Sequence, residues 1–192
     1  MGSPEVYSLP QDELEPFLDR RRYAAFPLVQ LHVETFLSEI LSKANDFVPS
    51  EAGSILMDRP FDRGATPAET RLYFVSTFGS AGRALLGGSL DASRGVAGHV
   101  YLTGRPYLTV NPRQDPNFFS KFDDEHGFHT RSVITVPIRI ETTVCGVLQL
   151  VNRSDGRPYS QRDLDLLEIF ARYTSVSIEN LLDAQRANEM AR

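Results

Sequence analysis

The residues best equipped for chemistry cluster in one acidic stretch: Asp123, Asp124, Glu125, His126 and His129. Histidine and carboxylate bind metals and carry protons. No third or fourth ligand follows at a regular spacing, and loop histidines beside acids are ordinarily solvated or hydrogen-bonded. Consecutive carboxylates do not converge, whereas two-carboxylate hydrolysis needs a defined gap across a substrate. Cys145 is the single cysteine and lies in the apolar run Thr143–Leu148. It reads as a small buried hydrophobe rather than a nucleophile. One cysteine also excludes an intrachain disulfide and a multi-cysteine zinc site. Nucleophile elbow, Walker-type phosphate loop and dinucleotide fingerprint are all missing from the sequence. His32 has no special context, and His99 reads as a surface or half-buried helix residue. Nothing in these residues demands an enzyme.

Binding is better supported than catalysis. Ser93-Arg94-Gly95-Val96-Ala97-Gly98 places glycines at the start of a short helix. Unpaired N–H groups and the positive end of the helix dipole make such a start a potential anion cradle. The plainer alternative is that these glycines turn the chain and allow close packing. Phe118, Phe119 and Phe122 could stack on a ring, or could anchor a long loop to the core.

These residues need elements to position them. Apolar residues from Leu28 to Ala44 recur at i, i+3, i+4 and predict a helix over residues 28–47. Ser54–Met57 and Leu72–Phe78 read as strands, Gly95–Leu102 as a short helix and Pro106–Val110 as a brief strand. Residues 111–128 read as a loop holding a short helix near Phe118–Phe122. Ser132–Ile140 and Thr143–Val151 are rich in β-formers and read as a hairpin. Ser160-Gln-Arg-Asp163 resembles a capping box, and one apolar face then runs to Leu182 on a helix extending nearly to Arg192. Strand pairs close in sequence favour an antiparallel sheet with helices against it.

The chain has 192 residues and a formal net charge of −5. That length suits one domain with extensions. The charge argues against a nucleic-acid partner, which usually meets a basic face. No apolar run approaches the roughly 18–20 residues of a membrane span. The N-terminus is too polar for a signal peptide, so the expectation is a cytoplasmic protein. Pro4, Pro10, Pro16 and Pro27 would break any long helix, so residues 1–27 read as a peripheral extension. Asp19-Arg20-Arg21-Arg22 within it reads as a solvated face in preference to a docking patch.

Three stretches carry a family resemblance: Gly95-Val-Ala-Gly-His-Val-Tyr-Leu-Thr-Gly-Arg-Pro106; Asp115 through Ile138, containing Pro-Asn-Phe-Phe-Ser-Lys-Phe-Asp-Asp-Glu-His-Gly-Phe-His-Thr; and Gly146-Val-Leu-Gln-Leu-Val-Asn-Arg153 leading to Tyr159-Ser-Gln-Arg-Asp163. In these the chain resembles a GAF domain, most of all those of cyclic-nucleotide phosphodiesterases and bacterial adenylyl cyclases. The weaker match extends over about 28–185, with 186–192 as the end of a C-terminal signalling helix. The resemblance implies an α+β sandwich, a six-stranded antiparallel sheet with helices on both faces. It further implies a small-molecule pocket, regulation instead of catalysis, and a homodimer through the N- and C-terminal helices.

Pocket residues implied by the motifs are Phe78 as a stacking aromatic, the amides of Val96 and Ala97 toward a phosphate, and Phe119 over the ligand. Asp123, His126, Thr130 and Gln149 are the implied polar contacts. A structural motif beside the pocket corresponds to Asn152, Arg153, Tyr159 and Asp163, with an Arg153–Asp163 ion pair where the family has lysine. Gly79, His126 and Gln149 depart from the acidic or hydroxyl residues often found there. Carboxylates only accept hydrogen bonds, so the acid-to-neutral changes alter which purine edge can be read. The resulting expectation is a non-catalytic sensor in signal transduction, with no metal or resident cofactor and a cyclic nucleotide as leading ligand. The alternative is a structural dimerisation module whose pocket is empty or filled by Phe118, Phe119 and Phe122.

Overall fold

A computed structural model describes residues 4–18, 33–62, 64 and 66–190, apart from the side chains at 33, 61, 122, 126, 181, 182, 184–186 and 188–190. The Asp19–Arg22 patch, His32 and the first five positions of the 28–47 helix lie outside the described residues.

The chain forms β1 (Val6–Ser8), α1 (Gln11–Leu18), α2 (Val33–Phe47), β2 (Ser50–Asp58), β3 (Arg71–Phe78) and α3 (Gly82–Leu85). It continues with β4 (Ser89–Asp91), α4 (Gly95–Thr103), β5 (Tyr107–Thr109), α5 (Lys121–His126), β6 (Val133–Ile140), β7 (Thr143–Arg153) and α6 (Gln161–Met190). The strands build one antiparallel sheet in the order β1-β3-β2-β7-β6-β5, with β4 also paired to β3. Helices α1, α2 and α6 cover a core that includes Leu37, Ile55, Ile134, Leu148 and Leu167. A second cluster, on α4 and the opposite side of the sheet, joins Leu56, Phe74, Val96, Val100 and Val147. This is an α+β sandwich, with the functional elements on the smaller cluster's side.

Two irregularities decide which side chains share a face. Pairing of β2 with β3 shifts between Ile55 and Leu56, leaving Val75 as an extra residue in β3. Pairing of β6 with β7 shifts between Ile138 and Arg139, leaving Cys145 extra in β7. A bulge reverses the in–out alternation beyond it. Cys145 is thereby buried in the large core, its thiol donating to the Ile138 carbonyl at 3.4 Å.

Residues 1–27 need correcting. Val6–Ser8 pairs with Ser76–Phe78 and makes the sheet seven-stranded rather than six. Leu14, Phe17 and Leu18 of α1 are buried. Pro16 sits inside this helix and deprives it of one backbone hydrogen bond, but the helix is only eight residues long and its buried side compensates. The Arg59 guanidinium lies 5.0 Å from the Phe17 ring and 4.6 Å from Tyr73, tying α1 to the β2–β3 side of the domain. The glycine-rich 80–94 segment holds α3 and β4, and the short helix α5 begins at Lys121, three residues later than expected. Among the described residues, no helix is long and apolar enough to cross a membrane.

Candidate functional site

A cavity of about 130 Å³ lies between the β2–β3–β7 part of the sheet, α4 and the segment from Phe118 to Thr130. Cavities of about this size hold a single aromatic ring. The walls are largely apolar, so the few polar groups decide what the cavity recognises.

Gly95 (φ +72) turns the chain into α4, a conformation that glycine adopts without strain. Arg94 is the N-cap residue but makes no side-chain cap, and the first intrahelical bond runs from the Gly98 N–H to the Arg94 carbonyl at 3.2 Å. Residues Gly95, Val96 and Ala97 therefore hold the unpaired N–H groups of the first turn, at the cavity's end. The Arg94 guanidinium lies 5.1 Å from the centre of the Phe119 ring and 3.3 Å from Asp91 Oδ2.

The floor is polar and uncharged. Ser54 and Gln149 are register partners on β2 and β7. Thr135 Oγ1 donates to Gln149 Oε1 at 3.0 Å, which leaves the Gln149 amide as a donor. Ser54 is 5% exposed and lines the cavity.

Asp123 and Thr130 come together where α5 ends. The Thr130 N–H and Oγ1 donate to the two Asp123 carboxylate oxygens at 2.9 and 2.6 Å, and Arg113 Nη2 adds a third contact at 3.3 Å. Gly127 (φ +61) closes α5 between them. Asp123 and Thr130 both line the cavity as well as bracing this segment. Phe119, in the segment before α5, lines the cavity. His126 ends α5, and its side chain lies outside the described residues; His129 is exposed. Among the described residues no group of three or more His, Cys, Asp or Glu side chains could hold a metal ion.

Phe78 borders the cavity, but its ring is 2% exposed and packs over Gly53, where a Cβ would sit 2.4 Å from it. Register pairing places Phe78, Gly53 and Leu150 in one row, so the ring belongs to the large core. Phe74, beyond the Val75 bulge, belongs to the α4-side cluster and lines the cavity. Sequence reading missed Phe74, Ser54 and the Arg94 side chain. Alternation counted back from Val96-facing residues would have found Phe74 only if the bulge had been visible.

Behind the cavity, Asn152 (φ +54) spends its whole amide. Its Oδ1 accepts from the N–H groups of Arg131 (2.7 Å) and Ser132 (3.2 Å), and its Nδ2 donates to Glu51 Oε2 and the His129 carbonyl, both at 2.9 Å. Arg153 pairs with Asp163 and also with Asp155 at 3.0 Å. Asp163 Oδ2 accepts from both the N–H and Oγ of Ser160 at 2.7 Å, so one carboxylate serves ion pair and helix start together. Burial alone would raise the Asp163 carboxyl, but the hydrogen bonds from Ser160 and Arg153 outweigh it and hold the group below its ordinary range. Glu51 behaves likewise: burial opposes ionisation, and Arg131 and Asn152 win. Tyr159 Oη donates to Ser50 Oγ at 2.7 Å, and burial pushes its phenol up.

The fold and site define an α+β domain with a half-open pocket on one face of its sheet, one wall of which is the segment Phe118–Thr130. The sequence profile of the GAF domain matches residues 30–179. The chain belongs to the GAF domain family. It is 36% identical over 101 residues to the probable 3′,5′-cyclic phosphodiesterase pde-5 of Caenorhabditis elegans, covering 52% of this chain and 14% of that protein. It is 36% identical over 88 residues to the dual 3′,5′-cyclic-AMP and -GMP phosphodiesterase 11A of Takifugu rubripes, covering 45% of this chain and 10% of that one. Thus the matched region spans a seventh or less of these relatives. The GAF domain of an Acinetobacter phosphoenolpyruvate-protein phosphotransferase superposes with a TM-score of 0.63 at 17% identity, over 93% of this chain and 99% of that one.

Proposed function

We propose that this GAF domain is a non-catalytic sensor of a small anionic ring compound, with a purine cyclic nucleotide as the leading class. The carrying observation is the pairing of the uncapped α4 start, at Val96 and Ala97, with the neutral polar floor of Ser54 and Gln149 across one apolar cavity. An anion suits the N–H groups, a ring suits the apolar walls, and a heterocycle edge suits the floor. Similarity to cyclic-nucleotide phosphodiesterases supports the same class.

The pocket is half open to solvent, so a ring fits the cavity of about 130 Å³ while the rest of a nucleotide extends through its mouth. In this reading the Phe118–Thr130 segment folds over the bound ligand. Occupancy is relayed through α6, whose exposed Ile169, Tyr173 and Val176 stripe forms the dimer contact in a cytoplasmic homodimer. A ligand shifts such an equilibrium only by binding one state better than the other.

The second reading is a ligand-free dimerisation module. Phe118 and Phe119 already stand in the cavity wall, which favours it. Thermal denaturation with cAMP and cGMP separates the two. At a hundredfold above its dissociation constant a ligand adds about 2.7 kcal/mol, or roughly 5–10 °C in Tm for this size. A saturable shift supports the sensor; no shift with either nucleotide, on folded protein, supports the module.

A further inference from the structure

We infer that Arg139 is a coupling residue, which ties the C-terminal end of the pocket helix α4 to a bend point midway along α6. Both of its ends are engaged. Its guanidinium Nη2 donates to the Gly104 carbonyl at 2.8 Å, and its Nη1 to the Thr142 carbonyl at 3.4 Å. Its backbone N–H donates to Ser175 Oγ on α6 at 2.9 Å. A cation at the end of α4 also suits the negative end of that helix's dipole. The approach is close: a Cβ on Gly104 would sit 2.6 Å from Arg139 Nη2. The α6 side is built to bend. Thr174 and Ser175 lie midway along this 30-residue helix, and their hydroxyls donate to the Phe170 and Ala171 carbonyls at 2.8 and 2.9 Å. Such back-bonding competes with the helix's own ladder and favours a bend. The Ser175 proton is spent on the helix, and its oxygen is left to accept from Arg139. One turn on, Glu179 Oε1 accepts from the Glu141 N–H, so the β6–β7 turn grips α6 at two successive turns. At its other end α4 lines the cavity through Val96 and Ala97. A short helix moves as one body, so a shift at the cavity reaches Gly104, and Arg139 hands it to Ser175.

The inference rests on the sensor reading, but half of its test needs no ligand. Amide hydrogen exchange, read by mass spectrometry on the ligand-free full chain, compares the unaltered protein with Arg139→Gln. The substitution speeds exchange in residues 100–104, which lose the guanidinium, and in residues 172–180, to which the guanidinium makes no bond. The expected rise is about threefold or more in both, the scale of one lost hydrogen bond. Residues 54–57 in the middle of the sheet keep their rate. Ser175→Ala, made from the other end, speeds residues 100–104 as well, because coupling between two sites is reciprocal. Acceleration confined to the substituted end, or spread equally over residues 54–57, overturns the coupling. For the second half, cAMP and cGMP are added to both proteins. The nucleotide that binds slows exchange at 95–97 in both, but at 172–180 only in the unaltered chain. Equal slowing of 172–180 in Arg139→Gln overturns the relay. If neither nucleotide binds the unaltered chain, the sensor reading fails for that class, and the ligand-free comparison still decides whether Arg139 couples α4 to α6.

Discussion

Thr130 occupies both carboxylate oxygens of Asp123, at 2.9 Å through its N–H and 2.6 Å through its hydroxyl, across the glycine that ends α5. Asp123→Ala strands two buried donors on Thr130. The expected cost is about 1–3 kcal/mol, read as a Tm lower by about 2–4 °C per kcal/mol. Amide exchange should accelerate first in residues 118–130. Asp123→Asn, which keeps one acceptor, should lose less; equal stability of Ala and wild type would sink the bracing role.

Asp163 carries two loads that can be separated. Asp163→Asn keeps an oxygen for the Ser160 N–H but removes the charge facing Arg153. Asp163→Ala removes both, and should cost about 1–2 kcal/mol as a lost helix cap. Because Arg153 retains Asp155, neither variant strands the guanidinium. Urea unfolding should therefore rank wild type above Asn above Ala, with an unchanged slope.

Acid should weaken the domain in a defined direction. The folded carboxyls of Glu51 and Asp163 lie below their ordinary values, so between about pH 4 and their folded values the unfolded chain binds more protons. Their contribution is complete above about pH 5, past the ordinary carboxyl values, and is lost as pH falls through the folded values. Stability measured by urea at pH 7, 5, 4 and 3 should hold between 7 and 5 and drop below 4. In Glu51→Gln/Asp163→Asn that final drop should shrink.

Two glycines should respond very differently to alanine. At Gly146 a Cβ would sit 2.2 Å from the Leu56 carbonyl oxygen, a backbone atom that cannot move aside. Gly146→Ala should cost about 3 kcal/mol or more, enough to reduce soluble yield. At Gly127 a Cβ meets nothing within 4 Å, and only the left-handed backbone opposes it. Gly127→Ala should cost about 1–2 kcal/mol. A reversal of this order in chemical denaturation would contradict the β2–β7 packing.

The parts legible in the sequence were those with strong periodicity. The β6–β7 hairpin is dense in β-formers, α6 repeats one apolar face, and Gly95–Thr103 is framed by glycines that the backbone needs. Residues 6–18 were not legible, because Pro10 and Pro16 hide a short strand and helix whose justification is distant burial against α2 and β3. The site was legible in its chain segments but less so in its side chains. Val96, Ala97, Phe119, Gln149, Asp123 and Thr130 all line the cavity, and Asp123 and Thr130 are also bonded to each other. Phe78 and Phe74 differ only in which face of β3 they occupy, and the Val75 bulge that decides this has no local signature.

The bulge at Cys145 gives the protein a clock of its own. The only thiol in the chain is sealed inside the core, so a thiol reagent can reach it only when the sheet opens. Its labelling rate under native conditions times the rarest excursion of the domain, without any added probe. Any compound that steadies the fold will show itself by slowing that rate, before its binding site is known.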